Sequence, residues 1–424
     1  MKIHIVTPKV NIRTSEYKFA PPMPLKIIAS LIPPQHEVKI IDESIRNEVI
    51  NYDEPVDLVF ITSYTFNVLG GYNIADNYRK RGAKVVMGGL HVRFMVDEAL
   101  QHADAVAVGE AENTVPEILR DFENGTLKQR YVPTEKCDLT KIPVITEKER
   151  SLLKLDQYTI PNTFQASRGC PYSCEFCAVT AAYGASYRFR KLEDVVKEVS
   201  ISLKNATGVQ RILFFVDDHI TARKSYFLKL FKEMKKLGHF MWSCQMTLKN
   251  AADDEILQIL SETNCTNVFI GFESLSENLL KGMGKGHNKV EEYEAIIKKV
   301  HSYGIPINGS FVFGLDGDDE GVFERTFDFA QKTGIDMGTF NAMTPFPGTK
   351  LRERLERDGR ILSNDWSKYD CSNVVYEPIG MSPKTIEDGI HWLWTEYYSK
   401  ENMEKRQKVS PKTMGILNKH FYNY

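Results

Sequence analysis

The chain has no long hydrophobic run. Its apolar stretches, such as Ile212 to Val216, fall far short of the roughly 18 residues that would suggest a membrane span. It also has no surplus of charge. Lys and Arg number 54 against 56 Asp and Glu, a formal net charge of -2. That balance excludes a strong electrostatic pull toward nucleic acid or an anionic membrane surface. Cysteine is sparse and odd in number, at seven, so a disulfide framework is not expected and a reducing cytoplasm fits. Neither an internal repeat nor a low-complexity tract is present. Met1–Thr7 enters a strand pattern at once, with no sign of a signal peptide. The remaining composition, 42% apolar and 26% charged over 424 residues, is that of a soluble protein with two domains and an appendage.

The first 130 or so residues alternate short β-branched runs with helical periodicity. Strands are expected at 2–7, 38–42, 58–63, 84–88 and 105–108, with helices near 24–31, 72–81, 96–102 and 115–122. Such alternation predicts a doubly wound parallel sheet with right-handed crossovers, and ligands at the carboxyl ends of its strands. Three loops there hold candidate binding residues: Ser63-Tyr64-Thr65-Phe66, Gly88-Gly89-Leu90-His91 and Gly109-Glu110-Ala111-Glu112. Glycines let a bulky ligand approach the backbone.

Residues 131–160, polar and punctuated by proline, read as a linker. From 161 to 350 the alternation resumes, with strands expected at 163–167, 211–216, 240–245, 267–271, 308–313 and 339–344. Six units are too few for a closed eight-fold barrel and suit a partial (β/α)6 TIM-type barrel. Residues 351–424 form a small helical region. Ile390, Leu393, Trp394 and Tyr397 recur there at helical spacing and are expected to face a core. The segment 362–376, with Trp366, Tyr369 and Asp370, is expected over the barrel mouth. The basic stretch 400–412 reads as solvated surface.

The richest signal is Cys170-Pro171-Tyr172-Ser173-Cys174-Glu175-Phe176-Cys177. Three thiolates on one short loop can converge on a soft metal centre whose fourth corner has no local protein ligand. Structural zinc wants four ligands, but no second CxxC exists and the nearest later histidine is His219. A redox dithiol of Cys174 and Cys177 would leave Cys170 idle. An iron–sulfur cluster with one open iron fits the spacing best. The other cysteines, Cys137, Cys244, Cys265 and Cys371, are most simply buried thiols.

CxxxCxxC after a first strand, with Phe176 before the last cysteine, resembles the radical S-adenosylmethionine superfamily. The resemblance implies that Cys170, Cys174 and Cys177 bind three irons of a 4Fe-4S cluster whose fourth iron takes S-adenosylmethionine. It places Asp217 and Asp218, which could otherwise cap a helix, near the methionine ammonium. It sets Glu273 near the ribose hydroxyls and Gln245 along the cofactor site, with residues 309–317 near the adenine and Pro345–Thr349 as a closing turn. A parallel α/β domain ahead of the barrel resembles the cobalamin-binding subclass. There Ser63, Tyr64, Thr65, Phe66, Gly88, Gly89, His91, Gly109 and Glu110 would line the corrinoid site, with Tyr64, Phe66 and Leu69 supplying an apolar face. One departure matters. Asp42-Glu43-Ser44-Ile45-Arg46 lacks the cobalt-ligating histidine of Asp-x-His-x-x-Gly, so cobalamin would bind without it. His91 is the nearby histidine, with backbone approach of its loop to the corrin the favoured use.

The implied activity is methylation of an unactivated carbon through a 5′-deoxyadenosyl radical and methylcobalamin. The alternative is cyclisation, rearrangement or oxidation with the same cofactors, or with a first domain that has lost cobalamin. The implied partners are a small-molecule, lipid or peptide substrate and an external one-electron reductant of the flavodoxin or ferredoxin type. No nucleic acid is expected. A transfer-RNA methylthiotransferase would carry three further cluster cysteines in its first domain, where Cys137 stands alone.

Overall fold

The structure, a computed structural model, describes residues 1–10 and 19–409. The chain divides into two compact units: Met1–Gln165 with Arg188–Gln210, and Ala166–Tyr187 with Arg211–Tyr424. Both are α/β, as expected.

The first unit is built on six strands: β1 (Lys2–Thr7), β2 (Glu37–Asp42), β3 (Leu58–Thr62), β4 (Lys84–Gly88), β5 (Ala105–Ala107) and β6 (Arg130–Tyr131). Their order is β2-β1-β3-β4-β5-β6, every pair parallel. The chain reverses its winding between β1 and β3, and a ligand crevice opens at such a switch point. Helices on both faces bury the sheet, which is why β1 and β3 read as near-continuous apolar runs. One face packs Ile3, Ile5, Leu58, Phe60 and Val86 against Leu25, Ile28, Val115 and Ile118.

Two helices begin earlier than the periodicity suggests. Val68–Lys80 contains Gly70 and Gly71, which disguise its first turns. A Cβ on Gly71 would come within 3.3 Å of both Met87 and Pro8, so a minimal side chain lets this helix approach the sheet. Ala111–Glu123 continues through Pro116. The polar stretch read as a linker is packed: Arg130–Tyr131 pairs with β5, and Cys137, Leu139 and Ile142 form a small buried cluster.

The second unit carries five parallel strands, Ile212–Phe215, Met241–Met246, Cys265–Glu273, Ile307–Phe313 and Met337–Ala342, side by side in chain order. Helices Lys224–Met234, Asp254–Glu262, Tyr293–Ser302 and Val322–Thr333 connect them. Aromatic rings fill the interior. Trp242 stacks on Phe231 at 3.9 Å, and Phe272 on Phe311 at 5.5 Å. The expected strand 163–167 is interrupted, with Asn162–Phe164 and Ser167–Arg168 as separate pieces. Between them the amide of Ala166 turns to a carboxylate, Asp217, as does that of Ser167.

On helix Pro383–Tyr397, Ile390, Leu393 and Tyr397 are buried as expected, whereas Trp394 is half-exposed and donates its indole N–H to Phe340 O. Trp366 and Tyr369 are buried, with the Arg352 guanidinium over both rings. Asp370 instead caps its own turn at Ser372 and Asn373. Lys400–Gln407 is helical, and residues 410–412 of the basic stretch lie outside the described residues. Among the described residues no helix is long and apolar enough to cross a membrane.

The first unit buries one lysine completely. Lys26 donates to the carbonyl and hydroxyl of Thr163, each at 2.6 Å. Burial lowers its pKa to about 7, because a desolvated ammonium is disfavoured. The unfolded chain therefore binds more protons between that value and the ordinary lysine range, and folding stability rises with pH through this window. Relative to Lys26→Met, the wild type should gain stability from pH 7 to 10, by at most about 1.4 kcal/mol per pH unit. Below pH 7 the difference should stay flat. Parallel thermal melts across pH check this.

Candidate active site

The cysteine loop starts from a junction that two aspartates hold. Asp217 is fully buried and its carboxylate accepts from Ala166 N, Ser167 N and the Ser167 hydroxyl. Burial pushes its pKa up to about 7 against these donors. Asp218 accepts from Gly169 N at 2.8 Å. Gly169 has φ +90°, and a Cβ there would lie 2.3 Å from Ser186 O, so only glycine fits. Neither aspartate is the N-cap of helix Lys224–Met234, which is Arg223. Their carboxylates serve the root of the loop.

Cys170, Cys174 and Cys177 are all free and half-buried. Burial raises the pKa of Cys170, and pushes that of Cys174 up to about 11; each of these two also feels the charge of Cys177. Metal ligation requires thiolate and would have to overcome that burial. Among the described residues no three Cys, His, Asp or Glu side chains gather closely enough to hold a single ion. Three cysteines on one short loop match the donor set of an iron–sulfur cluster with one open iron.

The sequence did not single out His219, Tyr172, His287 or Lys285 as site residues, whereas it did name Glu273, Gln245 and Phe176. His219 brings Nδ1 to 3.9 Å from Cys170 Sγ, and its Nε2 lies 3.1 Å from Asn250 Oδ1. Burial lowers its pKa to about 4. Tyr172 stacks on His287 at 3.9 Å and on His219 at 5.9 Å. Glu273 ends its strand in the left-handed region, φ +65°, an uncommon conformation for a non-glycine residue that marks a functional candidate. Its carboxylate pairs with Lys285, and a Cβ on neighbouring Gly271 would strike both groups. Gln245 and Phe176 are half-buried, Gln245 on strand Met241–Met246. Lys285 comes from Gly282-Met283-Gly284-Lys285-Gly286, a glycine-rich stretch that is its sole sequence signal.

In the first unit, the loops after β3 and β4 press together. Ser63 N donates to Gly88 O. Gly89 has φ +108°, and a Cβ on it would lie 2.3 Å from Ser63 O. Ser63 is 2% exposed, and its hydroxyl has no hydrogen-bond partner, an orphan that a ligand would satisfy. Tyr64 stacks on Phe66 at 5.7 Å. Tyr64 and Leu69 are 40% and 45% exposed, so this face is open rather than consumed by packing. Thr65 is buried in the turn, and Asn67 ties the turn to Pro8 O. The crevice therefore offers a buried hydroxyl, a glycine cradle and an apolar face, which fit a corrinoid.

Two other candidates are turned inward. His91 is wholly buried with Nε2 3.4 Å from Glu98, which also accepts from Tyr72. Glu110 is clamped by both terminal nitrogens of Arg188 and by Cys137 N. Gly109, at φ +111°, sits beside Arg93 and Pro133. Tyr158 donates to Asp42 at 2.8 Å, at the end of β2 where the cobalt-binding histidine motif would begin.

Comparison with known proteins finds a match for each part of the chain. Residues 164–330 match the model of the Radical SAM superfamily, and residues 8–119 that of the B12 binding domain. The bacteriochlorophyllide d C-12(1)-methyltransferase of Chlorobaculum tepidum is 31% identical over 395 residues, covering 92% of this chain and 85% of that protein. The C-8(2)-methyltransferase of the same organism is 31% identical over 420 residues, covering 94% and 91%. Among solved structures, OxsB with aqua-cobalamin and S-adenosylmethionine superposes with TM-score 0.71 at 14% identity, covering 99% of this chain and 74% of that one. The methyltransferase TsrM from Kitasatospora setae, with tryptophan and a S-adenosylmethionine analogue, gives 0.70 at 17%, covering 85% and 77%. At such identities the likeness is one of fold.

Two substitutions probe these sites. Gly89→Ala should destabilise the protein by roughly 2–3 kcal/mol, from strain and collision with Ser63, and should lower corrinoid retention; melts and the visible spectrum report both. Asp217→Ala strips three buried donors of their acceptor. It should at least halve, roughly, the iron retained per chain after anaerobic reconstitution.

Proposed function

We propose, for a chain that belongs to the cobalamin-dependent radical S-adenosylmethionine methyltransferases, that it methylates an unactivated carbon of a small molecule with an apolar skeleton. The observation that carries the reading is the loop of three free, half-buried thiols rooted on Asp217 and Asp218. When bound, the 4Fe-4S cluster, S-adenosylmethionine and cobalamin supply the electron, the radical and the methyl group.

The rest falls to the chain's own residues. Cys170, Cys174 and Cys177 would hold the cluster. Asp217 and Asp218 fix the loop's root, so that the three sulfurs keep their spacing. Glu273 and Lys285 form a compact charge pair at a strand end, suited to the polar parts of a sulfonium cofactor. Ser63 and Gly89 would cradle the polar edge of a corrinoid, and Tyr64, Phe66 and Leu69 would shield one face from water. Two relatives named for bacteriochlorophyllide make a tetrapyrrole the first substrate class to test. An external low-potential reductant of the flavodoxin or ferredoxin type would supply electrons.

Anaerobic reconstitution should yield a visible spectrum with both iron–sulfur and corrinoid bands. With substrate, S-adenosylmethionine and reductant, the product should be heavier by one methylene. Replacing any of Cys170, Cys174 or Cys177 by alanine should cut reductive cleavage of S-adenosylmethionine by about a hundredfold or more. A product of changed ring count but without the added carbon would favour the cyclase or oxidase alternative. Absence of both iron and cofactor cleavage would end the enzyme reading.

A further inference from the structure

The middle of the cysteine loop is gripped as firmly as its root. Glu175 stands between Cys174 and Cys177, and two elements distant in sequence hold it through three residues. Its N–H donates to Met283 O at 3.0 Å, and its carbonyl accepts from Leu351 N at 3.0 Å, the latter on the same helix as the third partner, Arg354. Its carboxylate accepts from Arg354 Nη2 at 2.8 Å. Arg354, on helix Lys350–Arg357, reaches in two directions. Its other terminal nitrogen, Nη1, donates to Asp316 at 2.9 Å. Arg360 completes the array, with Nη1 and Nη2 on Asp316 at 2.9 and 2.6 Å.

Asp316 is no random surface anion. It lies in the tight turn that follows strand Ile307–Phe313. Gly314 and Gly317 have φ +91° and +122°, and buried Asp318 accepts from Gly314 N and Leu315 N. Tyr376 donates to Gly314 O. The turn is therefore rigid, and one guanidinium ties it to the ligand loop.

We infer that Arg354 is a positioning residue that bridges the cysteine loop, through Glu175, to the strand-end turn at Asp316, so that one mechanical unit sets both the cluster loop and the turn that the family resemblance places near the adenine of S-adenosylmethionine. The inference rests on the methyltransferase reading and adds a coupling that this reading does not require. The fork geometry is essential. A guanidinium spans two carboxylates with separate nitrogens, whereas a lysine ammonium is a point charge on a flexible stem. These pairs are partly exposed, so their value lies in geometry rather than in bulk stability.

The test uses the full-length chain, reconstituted anaerobically, as wild type, Arg354→Lys, Asp316→Asn and the double variant. Iron and sulfide content establishes cluster loading. Electron paramagnetic resonance of the reduced cluster, titrated with S-adenosylmethionine, gives affinity and a spectral signature. Each single variant should keep its cluster but bind S-adenosylmethionine about tenfold more weakly. The double variant should be no weaker than either single one, since both break the same bridge. Unchanged affinity in loaded variants, or losses that multiply, would overturn the bridge. If Arg354→Lys assembles no cluster, Asp316→Asn, which leaves the Glu175 pair intact, decides alone by the same criterion. A wild-type spectrum indifferent to S-adenosylmethionine would overturn the methyltransferase reading and the bridge with it.

Discussion

Three thiols within eight residues can leave a metal corner open only if the backbone that carries them is fixed from outside. A loop this short makes few hydrogen bonds of its own, and buried amides left unpaired are costly. Here the outside supports are carboxylates. Asp217 takes the amides of Ala166 and Ser167, and Asp218 takes that of Gly169, whose left-handed backbone only glycine supports. Glu175 is held on all its polar groups by Met283, Leu351 and Arg354. Removing any of these would free the loop from one of its outside supports.

The first unit solves a different problem with similar economy. Its strand order reverses between β1 and β3, opening a crevice without any insertion. Gly89 lets the β4 loop lie against Ser63, and the buried hydroxyl beside it stays unpaired. A protein keeps such a group when a ligand meets it. Exposed Tyr64, stacked on half-buried Phe66, adjoins it. A large flat molecule needs one polar anchor and one apolar face more than it needs acids or bases, and the crevice offers just those.

Much of this was legible from residue order. Alternation of β-branched and helical periods fixes a parallel sheet, because crossovers of that length admit little else. The cysteine spacing points to candidate donors and to the chemistry they would suit. Legibility failed where glycine or proline hid a helix start, as at Val68 and Ala111. Within the polar stretch 131–160, Cys137, Leu139 and Ile142 form a small buried cluster of their own. The residue order favours backbone approach of the His91 loop over ligation by its ring, and that ring is wholly buried, facing Glu98.

By itself, then, the chain of residues determined which atoms could bind a cluster and which loops end at strand tips, since both follow from local spacing and period. Only the tertiary structure decided which partners those atoms meet. His219 reaches Cys170 across 49 positions and Arg354 reaches Glu175 across 179. Separations of that size leave no periodic trace, because the contact is set by how strands stack and not by the residues between them.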